Sequence, residues 1–399
     1  MVDLVESAEY LSQEITAQTE RSDRLAGTEG DHMAADYIEE QFENLGFNPS
    51  RQEIQFMGWK PESRPTMEID FNDGEEEVRA VNMSWGGSTP TGGVSGTVEH
   101  VGRTPIISGL FYWDKYRVVS DGTTVAHIVG IADKEWEYAL PEPLDHATYN
   151  FPTVILGHTN NQRLHEAVYD GEVTVSLETD TIYMPQSRTF NLEAEIEGKE
   201  EPEDVIVISA HHDTLPYDKG ASDNASGVAC MLKVAEHVAE HGYPKTVRFV
   251  SFAGEEWNDL GVRYYVRELR ESGELSRILT DFEIDTVGHP EGDTMFWYVD
   301  DWTEIRLKEK LQNVITHRGY DEQYGIEYVP TSGGLDSWQF EENGISTLTN
   351  VWWPFPTMHQ HHDSSYPNDD EVSREQMEIT VDVHKLLLDE FKDLTTLRY

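Results

Sequence analysis

Cysteine, lysine and long apolar runs are what this chain is short of. Its single cysteine, Cys230, excludes any intramolecular disulfide. Only 11 of its 29 cationic side chains are lysine, and 76 Asp plus Glu bring the formal net charge to −47. A surface that negative repels phosphate backbones and anionic lipid, so neither nucleic-acid binding nor a membrane-surface role is expected. No window approaches the roughly 20 consecutive apolar residues of a membrane span. Residues 1–20 are polar and acidic, without the basic start and apolar stretch of a secretory leader, so a cytoplasmic protein is expected.

What is present is enough to build large cores. The 399 residues are 38% hydrophobic and 11% aromatic, with 10 Trp, 18 Tyr and 14 Phe, which excludes a disordered acidic tail. Single cores stop growing at roughly 250–300 residues, so the length predicts more than one domain. The acidic residues are dispersed along the chain. With so few lysines this resembles the solvation of proteins from a salt-rich cytoplasm, and a salt requirement is expected; the plainer reading is a very acidic mesophile protein.

Helical spacing of Met33, Ala34, Tyr37, Ile38, Phe42 and Leu45, closed by Gly46, predicts a helix over 31–47, followed by an alternating strand over 51–56. From about residue 82 to 181 the texture is short β-branched runs broken by Gly, Pro, Asp and Asn, with one helix over 160–169. Strand and helix then alternate: strand 204–210, helix 224–241, strand 246–252, helix 261–272, strand 281–287, strand 344–351, and a last helix 374–393 opening with the capping-box pattern Ser373-x-x-Gln376. Such alternation predicts an α/β class, a three-layer α/β/α sandwich with a mostly parallel central sheet. A small β-rich insert over 90–181 would interrupt a main domain made of 1–89 and 182–399.

Ligands gather where the strands of open α/β sheets end. Strand 204–210 runs into His211-His212-Asp213, a turn delivers Asp223 before the next helix, strand 246–252 exits into Gly254-Glu255-Glu256, Asp285 lies near the exit of strand 281–287, and a loop His359-Gln-His-His-Asp follows strand 344–351. A hydrolytic two-metal site needs a bridging carboxylate, separate N or O ligands on each ion and an unligated base. His211 and Asp285 can hold one zinc and Glu256 and His362 the other, with Asp223 bridging and Glu255 free to take a proton from the shared water. Glu255 and Glu256 divide these roles only if the backbone bends there. Asp213 can hydrogen-bond the second ring nitrogen of His211.

The segments Ile208-Ser-Ala-His-His-Asp-Thr, Gly220-Ala-Ser-Asp-Asn-Ala-Ser-Gly, Thr246-Val-Arg-Phe-Val-Ser-Phe-Ala-Gly-Glu-Glu and Phe282-Glu-Ile-Asp-Thr-Val-Gly resemble the metal motifs of the co-catalytic dizinc aminopeptidases. That metallopeptidase family includes bacterial leucyl aminopeptidases, the aminopeptidase S and Y types, carboxypeptidase Q and glutamate carboxypeptidase. The resemblance covers about residues 20–395 and implies the zinc-exopeptidase fold, two Zn2+ (or Co2+ or Mn2+), a peptide substrate cleaved at a chain terminus, and the roles just given to His211, Asp213, Asp223, Glu255, Glu256, Asp285 and His362. The insert is similar to the protease-associated domain that several members carry. Two departures stand out: the late histidine is His362 or His361, and the usual Ser-Asp-His upstream reads Leu335-Asp336-Ser337. Two rivals remain, a glutaminyl-cyclase-like acyltransferase with one zinc and a non-catalytic receptor-like relative. Side-chain preference, the terminus attacked and the oligomeric state stay open.

Overall fold

The structure, a computed structural model, describes residues 1–19, 23–71, 74–106, 111–132, 150–299, 307–330, 334–354 and 372–392. The chain folds as two compact units. The described residues of one come from Met1–Gln55 and from Arg188 onward, and those of the other from Phe56–Ser187.

The first unit is an α/β sandwich. Across its sheet the strands run Gly325–Val329, Thr294–Val299, Ser346–Trp353, Ile278–Ile284, Glu201–His211, Lys245–Phe252 and the end of Thr174–Ile196. Four neighbouring pairs are parallel. The pairing of Thr294–Val299 with Ser346–Trp353, and of Lys245–Phe252 with the 192–196 run, is antiparallel. Successive side chains on a strand face opposite ways, and both faces here are apolar. Val205, Val207, Val250 and Phe252 pack on one side against Val262, Tyr265, Val266 and Leu269 of the helix Leu260–Ser272. Ile206, Ile208, Phe249, Phe282 and Ile284 pack on the other against the helices Glu29–Asn44, Gly227–His241, Leu307–Arg318 and Arg374–Phe391. Each such side chain, once buried, contributes about 1.5–3 kcal/mol. The near-continuous apolar run of Glu201–His211 is therefore what commits it to the middle of the sheet.

Several boundaries differ from the sequence reading, each for a local reason. The helix expected from 224 begins at Gly227, because Asp223 (φ −114°, ψ 93°) and Asn224 (φ −135°, ψ 38°) lie in a non-helical turn within Ala221–Ser226. The strand expected over 281–287 stops at Ile284, and Thr286 takes a left-handed φ of +49°. At Ser373 only half of the capping box forms. Its Oγ accepts the Gln376 N–H (3.4 Å), while the Gln376 carboxamide donates to the Gly292 carbonyl instead of reaching back. The helix Leu307–Arg318 and the strands Thr294–Val299 and Gly325–Val329 were not foreseen.

The second unit is β-rich. Val94–Ile106, Phe111–Ser120 and Thr123–Ile131 form an antiparallel run, and Thr123–Ile131 pairs in parallel with Thr153–Leu156. The helix His158–Asp170 sets Leu164 into its core beside Tyr116, Ile128 and Val154. Among the described residues no helix is long and apolar enough to cross a membrane.

Candidate metal centre

The parallel strands deliver their ends to one edge of the first unit in register. Phe252 stands opposite His211, and Glu283 opposite Ser209, so the residue two steps past Glu283 arrives level with His211. That residue is Asp285, whose N–H donates to the Asn350 carbonyl (3.1 Å) just beyond the last ladder pair. Asp223 is brought in by the turn before the helix Gly227–His241. The carboxamide of Asn224 fixes that turn: Nδ2 donates to the Ile284 carbonyl (2.9 Å), and Oδ1 accepts the N–H of Gly227 (3.0 Å) and of Thr286 (3.2 Å). Asn224 thus locks the Asp223 turn to the strand end that carries Asp285. Gly227 is required by this closeness, since a Cβ there would lie 2.2 Å from Asn224 Oδ1 and 2.3 Å from the Ile284 carbonyl oxygen.

The outcome is a buried triad. His211 Nε2 lies 3.1 Å from Asp223 Oδ1 and 3.4 Å from Asp285 Oδ1, and the three donor atoms all fall within 4.8 Å of one another. Two ligand atoms about 2.0–2.2 Å from a tetrahedral ion lie about 3.3–3.6 Å apart, so the spacing fits a zinc-type site. Electrostatics agrees. Burial opposes protonation of His211, yet Asp213, Asp223 and Asp285 outweigh it and raise the imidazole well above the usual histidine range. Two buried carboxylates at this distance need a cation, and a divalent ion can take the place of the proton.

Glu255 lies in a turn past the end of Lys245–Phe252. Gly254 adopts φ +71°, and its carbonyl accepts the N–H of Leu260 (2.8 Å) and of Trp257 (3.2 Å), so the chain bends at the Glu255-Glu256 pair. Burial raises the Glu255 carboxyl well above the ordinary range; His211 pulls it back, while Glu256, Asp336 and Asp285 add to the rise. A carboxylate shifted in that direction suits a proton acceptor working near neutral pH. Asp213 plays a part not foreseen. Its Oδ1 accepts the Glu255 N–H at 3.0 Å and stays 3.6 Å from His211 Nδ1, too far for the expected hydrogen bond. Glu256 is half-buried and outside the triad's grouping, and His362, His361 and His359 lie outside the described residues.

Sequence reasoning treated Asp285 as the lone acid of an apolar strand and missed Asp281 and Glu283 on the same face. The alternation Asp281-Phe-Glu-Ile-Asp was the available signal. Glu283 accepts the N–H of Asp336 (2.9 Å) and of Ser337 (3.1 Å) and the hydroxyl of Thr349 (2.7 Å), which places Asp336. Both carboxylate oxygens of Asp336 are buried without a hydrogen bond among the described residues. Where the family motif has His, Ser337 shares a hydrogen bond with Thr349 (2.6 Å). Trp352 is fully buried and donates to Thr380 Oγ1 (3.1 Å).

A second grouping, His100, Asp114 and His165, belongs to the Phe56–Ser187 unit. There Arg103 holds the Asp114 carboxylate with two bonds (2.9 and 3.0 Å), and Asn161 adds a third (3.0 Å). A cation is already in place, so this is a packing node.

Residues 191–383 match Peptidase family M28. That segment, just under half of the chain, is similar to this peptidase family. The M28 segment carries all of the triad, Glu255 and Asp336. Aminopeptidase YwaD of Bacillus subtilis is 30% identical over 151 residues, 37% of this chain and 32% of that protein, so the match spans about a third of the relative's length. A probable leucine aminopeptidase 2 of Aspergillus oryzae is 22% identical over 364 residues, 86% of this chain and 71% of that protein. The fold is shared with a zinc aminopeptidase from Bacillus subtilis (TM-score 0.70, 18% identity, 97% of this chain and 94% of that one). It is shared equally with a peptidase M28 precursor from Shewanella amazonensis (TM-score 0.74, 19% identity, 99% and 97%).

Proposed function

We propose that this chain is a metal-dependent exopeptidase of the M28 aminopeptidase type. The observation that carries the proposal is the convergence of His211, Asp223 and Asp285, with their donor atoms within 4.8 Å of one another, beside Glu255. Relatives named as aminopeptidases support it. His211, Asp223 and Asp285 would hold one ion; Glu256 and His362 are assigned to a second, with Asp223 shared. A pair of zinc ions, when bound, lowers the pKa of water toward about 7 and polarises a peptide carbonyl. Glu255 accepts the proton of the attacking water on its carboxylate and returns it to the leaving amine. Asp213, through the Glu255 N–H, fixes where that carboxylate starts. Asp336, buried nearby, adds to burial in raising the Glu255 carboxyl.

The insert expected over 90–181, which lies within the Phe56–Ser187 unit, is assigned as protease-associated-like on its β-rich make-up, and no catalytic residue is placed in it. The net charge of −47 and the single buried Cys230 suit a salt-rich cytoplasm.

The test is release of p-nitroaniline from leucine p-nitroanilide in about 1 M KCl, where the Debye length is about 3 Å. Hydrolysis should vanish on chelation, return with Zn2+, Co2+ or Mn2+, and fail on the N-acylated substrate. Cleavage indifferent to chelator would sink the metal reading. Cyclisation of a glutaminyl peptide without anilide cleavage would favour the acyltransferase.

A further inference from the structure

Between two of the triad's residues runs a stretch with almost no regular structure. Residues 212–220 form neither strand nor helix, yet all but Lys219 are buried. Backbone carbonyls in such a place must find donors. Three of them, those of His212, Lys219 and Gly220, find them in one side chain from far upstream. Arg24, fully buried, donates from Nε to the His212 carbonyl (2.8 Å), from Nη1 to those of Lys219 (2.5 Å) and Leu11 (3.2 Å), and from Nη2 to that of Gly220 (3.1 Å). Its N–H donates to Thr214 Oγ1 (2.9 Å), and that hydroxyl donates in turn to the Asp218 carbonyl (3.1 Å). The neighbouring Asp23 carboxylate accepts the Tyr217 N–H (3.0 Å).

We infer that Arg24 is a positioning residue for metal binding. It clamps the residue directly after His211 and two of the residues just before Asp223, so the span between these two ligands is set by one rigid guanidinium. It touches neither substrate nor donor atoms and lies outside the M28 match of 191–383. Arginine suits the task because its five N–H groups form a planar fork able to serve carbonyls in several directions. A lysine would keep the charge but place three donors on one atom. Gly220, at φ +56°, is packed tightly in the same span: a Cβ there would lie 2.3 Å from the Asp223 carbonyl oxygen and 3.0 Å from Arg24 Nη2.

The inference rests on the metal reading above, and its test separates the two. Zinc dissociation constants of the full chain and of Arg24→Lys are measured in high salt by competition with a chromogenic chelator, with far-UV circular dichroism confirming that each is folded. Arg24→Lys should bind zinc about 10–100-fold more weakly, the loss typical when a group that orients a ligand is replaced. A merely structural arginine would lower the melting temperature of the metal-free chain and leave the zinc constant of the folded protein within twofold of the parent; that result overturns the inference. Should Arg24→Lys fail to fold, Gly220→Ala decides by the same two outcomes. A parent chain that binds no zinc overturns the metal reading and this inference with it, whereas tight parent binding matched by Arg24→Lys overturns this inference alone.

Discussion

Replacing Gly227 with alanine sets two physical effects against each other. Gly227 has ordinary helical geometry at the start of Gly227–His241, so propensity alone predicts that Ala stabilises the helix by about 1 kcal/mol. The structure predicts the reverse, because the added Cβ would lie 2.2 Å from Asn224 Oδ1 and 2.3 Å from the Ile284 carbonyl oxygen. Forcing a carbon into a filled space costs about 1–3 kcal/mol. Pushing the Asn224 carboxamide aside loses two of its three hydrogen bonds at about 1 kcal/mol each. After the propensity gain is subtracted, the net is a destabilisation of about 2–4 kcal/mol. Urea unfolding of the metal-free chain in high salt, followed by tryptophan fluorescence, reads this directly. Because Asn224 ties the Asp223 turn to the Asp285 strand end, zinc affinity should fall as well. An alanine variant at least as stable as the parent would refute the account of how these two ligands are held together.

Glu255→Gln should retain zinc and lose about 10²–10⁴-fold in kcat, since it removes the proton acceptor and no assigned ligand; a near-normal rate would remove Glu255 from that role. The metal-free chain should lose stability as pH rises. Burial, then Asp285, raises the Glu283 carboxyl from 4.5 to about 7 against the hydrogen bonds of Thr349 and Ser337. A folded-state pKa above the unfolded value gives stability that is complete below about 4.5 and lost as pH rises through about 7. Asp281 and Asp336, raised mainly by burial, act in the same direction. A urea midpoint that is flat or rises between these pH values would contradict the assignment. Raising KCl from about 0.1 to 1 M shortens the Debye length from about 10 to 3 Å and should raise the melting temperature, because 47 net negative charges repel one another; an unchanged value would count against the salt requirement.

Much of the site could be read from local pattern. His211 and Glu255 were found because each follows an apolar run, Asp285 because it lies near the exit of a strand, and Asp223 because a turn delivers it just before a helix. Asp281 and Glu283 were missed although their period of two put them on the face of Asp285, since a buried carboxylate was expected to be solitary. Arg24 could not be found by pattern at all. Its role consists of hydrogen bonds to carbonyls 188–196 residues away, and a carbonyl is carried by every residue.

The sequence by itself determined the layers. Apolar residues two apart on strands and three or four apart on helices settle which faces are buried, and that is a local matter. The tertiary structure decided the distances. Only the parallel register of strands far apart in the chain sets Phe252 and, two steps past Glu283, Asp285 level with His211. Only the turn pinned by Asn224 and Arg24 brings Asp223 to 3.1 Å from its imidazole. Composition and periodicity say which side chains a strand presents, but where that strand stops against its neighbour is a property of the packed sheet.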